Sequence, residues 1–280
     1  MFFVDREKQF EATSLSPFAL SFNRLQSGIL EVPADNSTML SIHVGRSSEV
    51  SCLKGGHHRG LIVHGDVDVI PPGLLTAWYI KEKCNTFSLK VPPSLLNLAA
   101  MELDIDSARV EIVKRFQMRD PQIEHISWAL KAEMDAGYPS GTLFLESLGT
   151  ALATHLLRRH SSGSLPPTEI KGGLSSLKLR QVIAYIEDNI DRNLSLAEIA
   201  DVACLSISHL KVAFRQSVGI AVYQYVIRRR VERARELLSE GKLSISHIAI
   251  ATGFSHQSHL ARHMRRLLGV TPAEIRRNDL

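Results

Sequence analysis

The sequence predicts an α+β protein whose N-terminal part is rich in strands and whose C-terminal part is all helical. Up to about residue 92, apolar and polar side chains alternate between Gly and Pro turn signals, which indicates short, half-buried strands. Beyond Pro93 the apolar spacing changes toward 3.6 residues, as in helices. From residue 194 to 277, one short helical pattern occurs twice at an interval of 49 to 50 residues.

Length and composition fit a protein of two globular domains. The chain has 280 residues, of which 44% are hydrophobic and 22% charged, and this excludes a disordered chain. It contains no run of 18 apolar residues and no secretory signal, so we expect a cytoplasmic protein without a membrane partner. Its three cysteines are odd in number and lack CxxC spacing, which argues against a disulfide framework or a zinc site.

The strands are predicted in five segments of the N-terminal part. These are residues 18–22, 39–44, 61–70, 78–81 and 87–91. Phe87, Leu89 and Val91, for example, alternate with polar residues. Short strands at this spacing favour a small barrel or a sandwich.

Helices are predicted after Pro93. Ser94 can cap a helix that runs to Met101, and a strand is predicted over residues 109–116. Asp120 is then the N-cap of a further helix with Pro121 in its first position. Gly137 ends that helix.

A second helix is predicted over residues 141–159, so that the two helices form a hairpin with a leucine-rich face. The face consists of Ile123, Ile126, Leu130, Met134, Leu145, Leu148, Leu152 and Leu156. It is either a dimer interface or part of the core of its own domain. Residues 160–174 are rich in Ser, Gly and Pro and are predicted to be a linker between domains 1–159 and 175–280.

Both copies of the repeated pattern have the form of a helix, a short turn and a second helix, at about residues 195–216 and 244–267. A small residue, Ala200 or Ala249, lets the second helix cross closely. The second helix begins at Ser206 in the first copy and at Ser255 in the second. Further predicted features are a Ser195–Glu198 capping box before the first copy and the closing glycines Gly219 and Gly269.

A long helix over residues 222–239 joins the two copies. Its 18 residues span about 27 Å. This is close to the roughly 34 Å between successive major-groove faces on one side of B-DNA. One chain could therefore place two reading helices in adjacent grooves.

Residues 175–277 resemble the DNA-binding domain of the AraC/XylS transcriptional regulators. The second copy carries the specific motifs, which are Ile248-Ala249, Gly253-Phe254-Ser255, Gln257-Ser258-His259-Leu260, Arg262, Gly269-Val270-Thr271-Pro272 and Arg276. The resemblance implies base contacts from Gln257, Ser258, His259 and Arg262 in the second copy, and from Ser208 and Lys211 in the first. Val212 stands where the family commonly has arginine, and valine can contact only a thymine methyl group.

Charge is concentrated in this domain. Residues 175–280 contain 16 Lys and Arg against 10 Asp and Glu, a net charge of +6, and the remaining 17 and 19 leave −2 for residues 1–174. Phosphate contacts are predicted for Arg215, Arg228, Arg265 and Arg266. For the cluster around Arg228, an equally weighted alternative is a solvated helix face paired with nearby glutamates.

Residues 65–73 resemble a segment of the cupin-like sensor domains of the same family. The resemblance implies a cupin-like β-barrel with the helical hairpin, acting as a sensor and dimerisation domain. Its interior is the expected ligand pocket, with His43, Trp78 and Phe87 as candidate lining residues. No metal is expected, because the adjacent His57 and His58 point to opposite faces of a strand and no glutamate follows.

The function predicted on these grounds is that of a DNA-binding transcriptional regulator, an activator controlled by a small molecule bound in the N-terminal domain. Implied partners are double-stranded DNA, RNA polymerase, a small-molecule effector and a second copy of the chain. No catalytic residue or cofactor is predicted, because GxSxG, GxxxxGK[ST], HExxH and GxGxxG are all absent from the sequence. The alternative is a cupin-like enzyme or metabolite-binding protein with an accessory nucleic-acid module.

Overall fold

The structure is a computed structural model that describes residues 18–106, 111–162 and 173–278. The chain divides into two units, residues 1–168 and 169–280. Within the described ranges, no helix combines the length and the apolar character needed to cross a lipid bilayer. Residues 163–172, which make up most of the predicted linker over 160–174, lie outside the described ranges.

The N-terminal unit contains nine described strands. They are β1 (Ala19–Leu25), β2 (Gly28–Val32), β3 (Thr38–Val44), β4 (Ser48–Lys54), β5 (Arg59–Ile62), β6 (Val67–Ile70), β7 (Thr76–Ile80), β8 (Cys84–Val91) and β9 (Arg115–Met118). One antiparallel sheet has the order β1-β8-β3-β6-β9, and a second has the order β2-β7-β4-β5.

The α+β class is confirmed, but the closed barrel is not found among the described strands, because each strand pairs only within its own sheet. The strand predicted at 61–70 is wrong as one element. A turn separates β5 in one sheet from β6 in the other, where Asp66 Oδ2 accepts a hydrogen bond from the Val63 amide at 3.0 Å. Gly65 occupies this turn with φ +82°, a conformation that favours glycine.

Three local predictions also need correction. Strands β2 and β4 were not predicted. Of the strand placed at 109–116, residues 109 and 110 lie outside the described ranges, and the described strand is Arg115–Met118. The first helix, α1 (Pro93–Glu102), begins one residue before Ser94, because Pro93 suits the first helical position and Pro92 precedes it in an extended conformation.

The helical hairpin is observed as α2 (Pro121–Asp135) and α3 (Gly141–Arg159). Most of its predicted apolar face is buried in the same core as the five-stranded sheet. This group consists of Ile123, Ile126, Leu130, Leu145, Leu152 and Leu156, with Met134 and Leu148 partly buried against it. The packing supports the interpretation of this face as core of its own domain, since these side chains are not exposed to a partner.

Asp120 is the N-cap of α2, as predicted. Its Oδ1 accepts hydrogen bonds from the amides of Gln122 and Ile123 at 3.0 and 3.1 Å. Its other oxygen, Oδ2, lies 2.7 Å from His155 Nε2 and 2.8 Å from His160 Nε2. One carboxylate therefore starts α2 and contacts the end of α3.

The C-terminal unit contains seven described helices. They are α4 (Ser176–Asp188), α5 (Leu196–Val202), α6 (Ile207–Val218), α7 (Val222–Ser239), α8 (Ile245–Ala251), α9 (Gln257–Leu268) and α10 (Pro272–Asn278). The bounds predicted for the long helix α7 are confirmed. Its residues Ile227, Val231, Ala234 and Leu238 are buried against apolar residues of α8 and α9. The second pair of short helices, α8 and α9, therefore packs on helix α7.

Candidate nucleic-acid interface

The two turns between the short helices, α5 to α6 and α8 to α9, have the same backbone form. Ala200 and Ala249 are buried, and the carbonyl oxygen of each accepts a hydrogen bond from the amide five residues later, at 3.0 and 2.9 Å. The residue four positions after each alanine has a positive φ, which is 51° at Cys204 and 77° at Gly253. The sequence repeat is therefore a repeat of backbone conformation.

Because Cys204 adopts a left-handed conformation that favours glycine, we expect Cys204→Gly to raise the free energy of unfolding by roughly 0.5–1 kcal/mol. Chemical denaturation followed by far-UV circular dichroism measures the change. Ala197→Gly, at an exposed position of the adjacent helix α5, is the matched control and should cost about 1 kcal/mol. A loss of stability in both variants would contradict the proposed strain at Cys204.

Helix α6 presents a polar face next to the first turn. Ser206 caps the helix through a hydrogen bond to the His209 amide, as predicted, and Gly219 ends it with φ 82°. The predicted contact residues Ser208, Lys211 and Arg215 are exposed, at the spacing of one helical face. Val212, on the same face, is 58% exposed, so an apolar side chain lies among the cationic ones.

A groove of about 630 Å³ adjoins this face of α6. It is lined by Leu196, Lys211, Val212, Arg215, Gln216, Gly219, Ala221, Val222 and Tyr223. Val212 and Tyr223 are both largely exposed there. The outer surface of the first helix pair therefore includes exposed apolar and aromatic side chains as well as hydrogen-bonding groups.

Helix α9 begins with an N-cap one residue later than the predicted Ser255. Its N-cap is His256, whose Nδ1 accepts a hydrogen bond from the His259 amide at 3.1 Å. An imidazole replaces the usual hydroxyl or carboxylate of an N-cap. Alignment of the second copy with Ser206 of the first copy therefore does not predict where α9 begins. Ser258 Oγ also contacts His256 Nδ1, at 3.0 Å. Gly269 ends α9 with φ 76°, as predicted.

The outer face of α9 carries the other predicted contact residues. Gln257, Ser258, Arg262, Arg265 and Arg266 are all exposed. Gln257 Oε1 accepts a hydrogen bond from Ser246 Oγ on α8 at 3.0 Å. That bond orients the amide and leaves its NH₂ group as the donor for an outside partner.

His259 is more enclosed than its neighbours. It is half-buried, its Nε2 lies 3.1 Å from His263 Nε2, and its ring packs edge to face on Phe254. Burial, together with the charge of Arg262, lowers its pKa, which favours the neutral imidazole. His259 thus already has partners within the chain at the position where a base contact is predicted.

Arg229 forms a buried ion pair that was not predicted from the sequence. Its Nε and Nη2 donate to the two carboxylate oxygens of Glu187 on α4, at 2.6 and 3.1 Å, and Nη1 contacts Glu232. Burial opposes the charge on Arg229, but Glu187 and Glu232 outweigh it and raise its pKa well above the ordinary value. The signal was its spacing, since Arg229 lies in helical register with the buried Val222 and Val226.

Arg230 has a structural role as well. Its guanidinium donates to three backbone carbonyl oxygens, of Ile190 at 3.0 Å, Gly253 at 2.7 Å and Arg192 at 2.6 Å. The first and third follow α4, and the second is in the turn before α9. One side chain therefore joins the segment that precedes the first helix pair to the turn of the second.

The remaining predicted arginine on α7, Arg228, is exposed. The side chains of Arg229 and Arg230, in contrast, are buried. Of the three consecutive arginines, Arg228 is thus the one whose charge is directed to solvent. The three arginines look alike in the sequence, but in the structure Arg228 is a surface residue and Arg229 and Arg230 are buried.

The predicted pocket residues of the N-terminal unit lie in different surroundings. Phe87 is fully buried in the core of the five-stranded sheet, whereas Trp78 belongs to a separate cluster with Val50, Ile62 and Ile80. His43 is buried, with its Nε2 2.6 Å from the Arg46 carbonyl oxygen. These three residues are therefore not gathered in one apolar cluster of the described structure.

Comparison with known proteins gives a consistent set of relatives. Residues 199–278 match the family described as "Helix-turn-helix domain". The chain is 29% identical to a putative AraC-like transcription regulator of Streptomyces lividans over 64% of this chain and 60% of that protein. It is 32% identical to the probable transcriptional regulator LumQ of Photobacterium leiognathi over 43% of this chain and 55% of that protein.

Among solved structures, the chain is similar to a transcriptional regulator from Chromobacterium violaceum described as containing an AraC-type DNA-binding domain. The two are 33% identical, the match covers 37% of this chain and 92% of the other, and the TM-score is 0.35. The chain spans 60% and 55% of the lengths of the first two relatives above, which is less than two thirds of each.

Proposed function

We propose that the protein is a sequence-specific DNA-binding transcriptional regulator, because residues 199–278 match a helix-turn-helix domain family and a relative is named an AraC-like transcription regulator. The observation that carries the proposal is the outer face of α9. There, hydrogen-bonding and cationic side chains are exposed on a short helix that a tight turn presents to solvent. Such a helix suits the major groove of B-DNA, where base edges offer a distinct pattern of donors and acceptors.

The proposed base contacts divide unequally between the two helix pairs. On α9, the NH₂ group of Gln257 can donate to adenine and the guanidinium of Arg262 can bind guanine through two hydrogen bonds. Ser258 and His259 complete this reading surface. On α6, Ser208 and Lys211 are the proposed readers, and Val212 between them and Arg215 contributes only apolar contact. We therefore infer that α9 supplies most of the sequence discrimination.

Phosphate contacts are proposed for the exposed arginines Arg215, Arg228, Arg265 and Arg266. They would fix the position of the protein on the duplex without reading its sequence. The net charge of +6 on residues 175–280 supports this role, since it attracts a polyanion and makes binding weaken as salt rises.

For the N-terminal unit we propose a sensor role in the cytoplasm. A small molecule bound there would change the affinity for DNA, which requires different ligand affinity in two states of the protein. Activation of transcription through RNA polymerase, and pairing with a second copy of the chain, belong to the same proposal. Its support is the pair of relatives named as transcription regulators.

Selection from a random DNA library with the purified full-length chain tests the function. We expect an ordered site of about 20 base pairs per chain, because two reading helices would lie in successive major grooves. Enrichment of a half-length motif would restrict reading to one helix pair. Recovery of no common sequence, from protein with intact secondary structure, would overturn the proposed function.

Two exposed arginines of α9 provide a matched test of base reading against phosphate binding. Arg262→Ala is expected to cost roughly 1–3 kcal/mol on the selected site and to relax the preference at one base pair. Arg265→Ala should weaken binding to selected and random DNA alike and reduce the salt slope by about 1. Titrations of both variants at several salt concentrations measure this. Equal losses on selected and random DNA for Arg262→Ala would remove it from the reading surface.

A further inference from the structure

Three metal-ligating side chains converge where the helical hairpin of the N-terminal unit begins and ends. Asp120 Oδ2 lies 2.7 Å from His155 Nε2 and 2.8 Å from His160 Nε2. Asp120 precedes α2, His155 lies in the last turns of α3 and His160 follows it. In the described ranges, this is the one group of three such residues whose donor atoms lie within 4.8 Å of one another.

Burial of the Asp120 carboxylate destabilises the folded protein unless a positive charge lies next to it. His160 is fully buried, and the side chains of Asp120 and His155 are each 11% exposed. A buried carboxylate ion needs a compensating cation, which is either an imidazolium or a metal ion at the same point.

We propose that Asp120, His155 and His160 bind one divalent first-row transition-metal ion, with Zn²⁺ as the ion that this ligand set suits best. Two imidazoles and one carboxylate are ligands that Zn²⁺ uses in proteins, at about 2.0–2.2 Å in a tetrahedral arrangement. Each imidazole nitrogen needs to move away from the carboxylate oxygen by only about 0.5–0.8 Å to leave room for an ion at those distances. Because the side chains of His155 and Asp120 are not fully buried, water can take the fourth position.

The capping role of Asp120 is compatible with this site, because Oδ1 holds the first turn of α2 and Oδ2 faces the histidines. The backbone of His160 also accepts a hydrogen bond from the Val113 amide at 2.7 Å. A bound ion would therefore connect the start of α2, the end of α3 and the segment before β9. We expect it to stabilise the N-terminal unit.

A second histidine pair, His259 and His263 on α9, is the natural competitor for added metal. Their Nε2 atoms lie 3.1 Å apart, so two ligands could share an ion. The charges of Arg262 and Arg266 act on this pair, and a cationic surrounding disfavours a metal ion there. The pair therefore serves as an internal control for location.

The test uses the full-length chain, stripped of metal with a chelator and titrated with Zn²⁺. Bound metal is counted by mass spectrometry, the melting temperature is recorded, and Co²⁺ absorption reports the coordination geometry. The ligand variants are Asp120→Asn, which keeps an oxygen for the helix cap, His155→Gln and His160→Gln. The controls are His125→Gln, an exposed histidine of α2, and the double change of His259 and His263 to glutamine.

We expect one equivalent of Zn²⁺ and a melting temperature that rises by several degrees with added metal. Each ligand variant should lower the Zn²⁺ affinity by about 100-fold or more, whereas both controls should bind as the unaltered chain does. If His160→Gln fails to fold, the partly exposed His155 carries the test. Less than one tenth of an equivalent in the unaltered chain, or undiminished binding by His155→Gln, would overturn the site. This result is independent of DNA binding.

Discussion

Replacing Glu187 by alanine is expected to lower the free energy of unfolding of the C-terminal unit by about 3–5 kcal/mol. The reason is that Arg229 would then be buried with its charge largely uncompensated. In the intact chain, the two oxygens of Glu187 accept hydrogen bonds from Arg229 at 2.6 and 3.1 Å, and both side chains are about 5% exposed. Loss of one partner leaves the full desolvation cost of the other.

The chain offers a matched control in Glu232, which contacts the same guanidinium but is 41% exposed at its side chain. Glu232→Ala should cost at most about 1 kcal/mol, because water can replace an exposed carboxylate. Unfolding of the C-terminal unit is followed by far-UV circular dichroism. Both tryptophans, Trp78 and Trp128, lie in the N-terminal unit, so their fluorescence reports that unit separately. Equal losses in the two variants would contradict the distinction drawn from burial.

Replacing Glu187 by leucine and Arg229 by methionine together should restore much of the stability lost in Glu187→Ala. Removal of both charges leaves neither partner uncompensated, and apolar side chains of similar volume tolerate the buried position. The double variant therefore separates the cost of an unpaired charge from the loss of packing. If it is no more stable than Glu187→Ala, packing rather than charge is the cause.

Gly253→Ala is expected to lower the free energy of unfolding by at least about 3 kcal/mol and to abolish DNA binding. The φ of 77° alone costs a residue with a side chain roughly 1–2 kcal/mol. In addition, a Cβ atom would lie 2.6 Å from the Ile190 carbonyl oxygen and 2.7 Å from the guanidinium carbon of Arg230. The contact with a backbone atom cannot be relieved by a side-chain rotation, and displacement of Arg230 would leave buried carbonyl groups without donors.

Gly269→Ala isolates the first of these two effects. Gly269 has nearly the same φ, 76°, but a Cβ atom there meets no atom within 4 Å. We therefore expect a loss of about 1 kcal/mol and retained DNA binding. The same denaturation and DNA titrations apply to both variants. Comparable behaviour of the two would mean that the close approach of Arg230 to the turn contributes little.

Features with a local cause could be predicted from the sequence. The bounds of α7, the Ser195–Glu198 capping box, the Ser206 cap and the closing glycines all follow from residues within one or two turns of each other. The class of the protein and the exposed face of α9 follow from the repeated pattern. For these elements, tertiary packing agrees with local preference.

Features that depend on distant residues could not be predicted in this way. The partners of Arg230 lie 23 to 40 residues away, and those of Arg229 on α4 lie 42 residues away. The cluster of Asp120, His155 and His160 is equally non-local. His57 and His58 stand out in the sequence because they are adjacent, whereas the structure assembles its three-residue group from the two ends of a hairpin. Helical register with Val222 and Val226 indicates that Arg229 is buried, but it does not identify the partner of Arg229 on α4.

The three carbonyl contacts of Arg230 have a mechanical consequence for the nucleic acid. Separation of the two helix pairs would break the hydrogen bond from Arg230 to the Gly253 carbonyl oxygen, so we expect the two pairs to keep their spacing when the domain binds DNA as proposed. The connecting helix spans about 27 Å, somewhat less than the roughly 34 Å repeat of straight B-DNA. If both helix pairs bind as proposed, the DNA rather than the protein would change shape, because curvature toward the protein shortens the distance between successive major-groove faces. Flexible pyrimidine–purine steps between the two half-sites would lower the cost of that curvature without being touched.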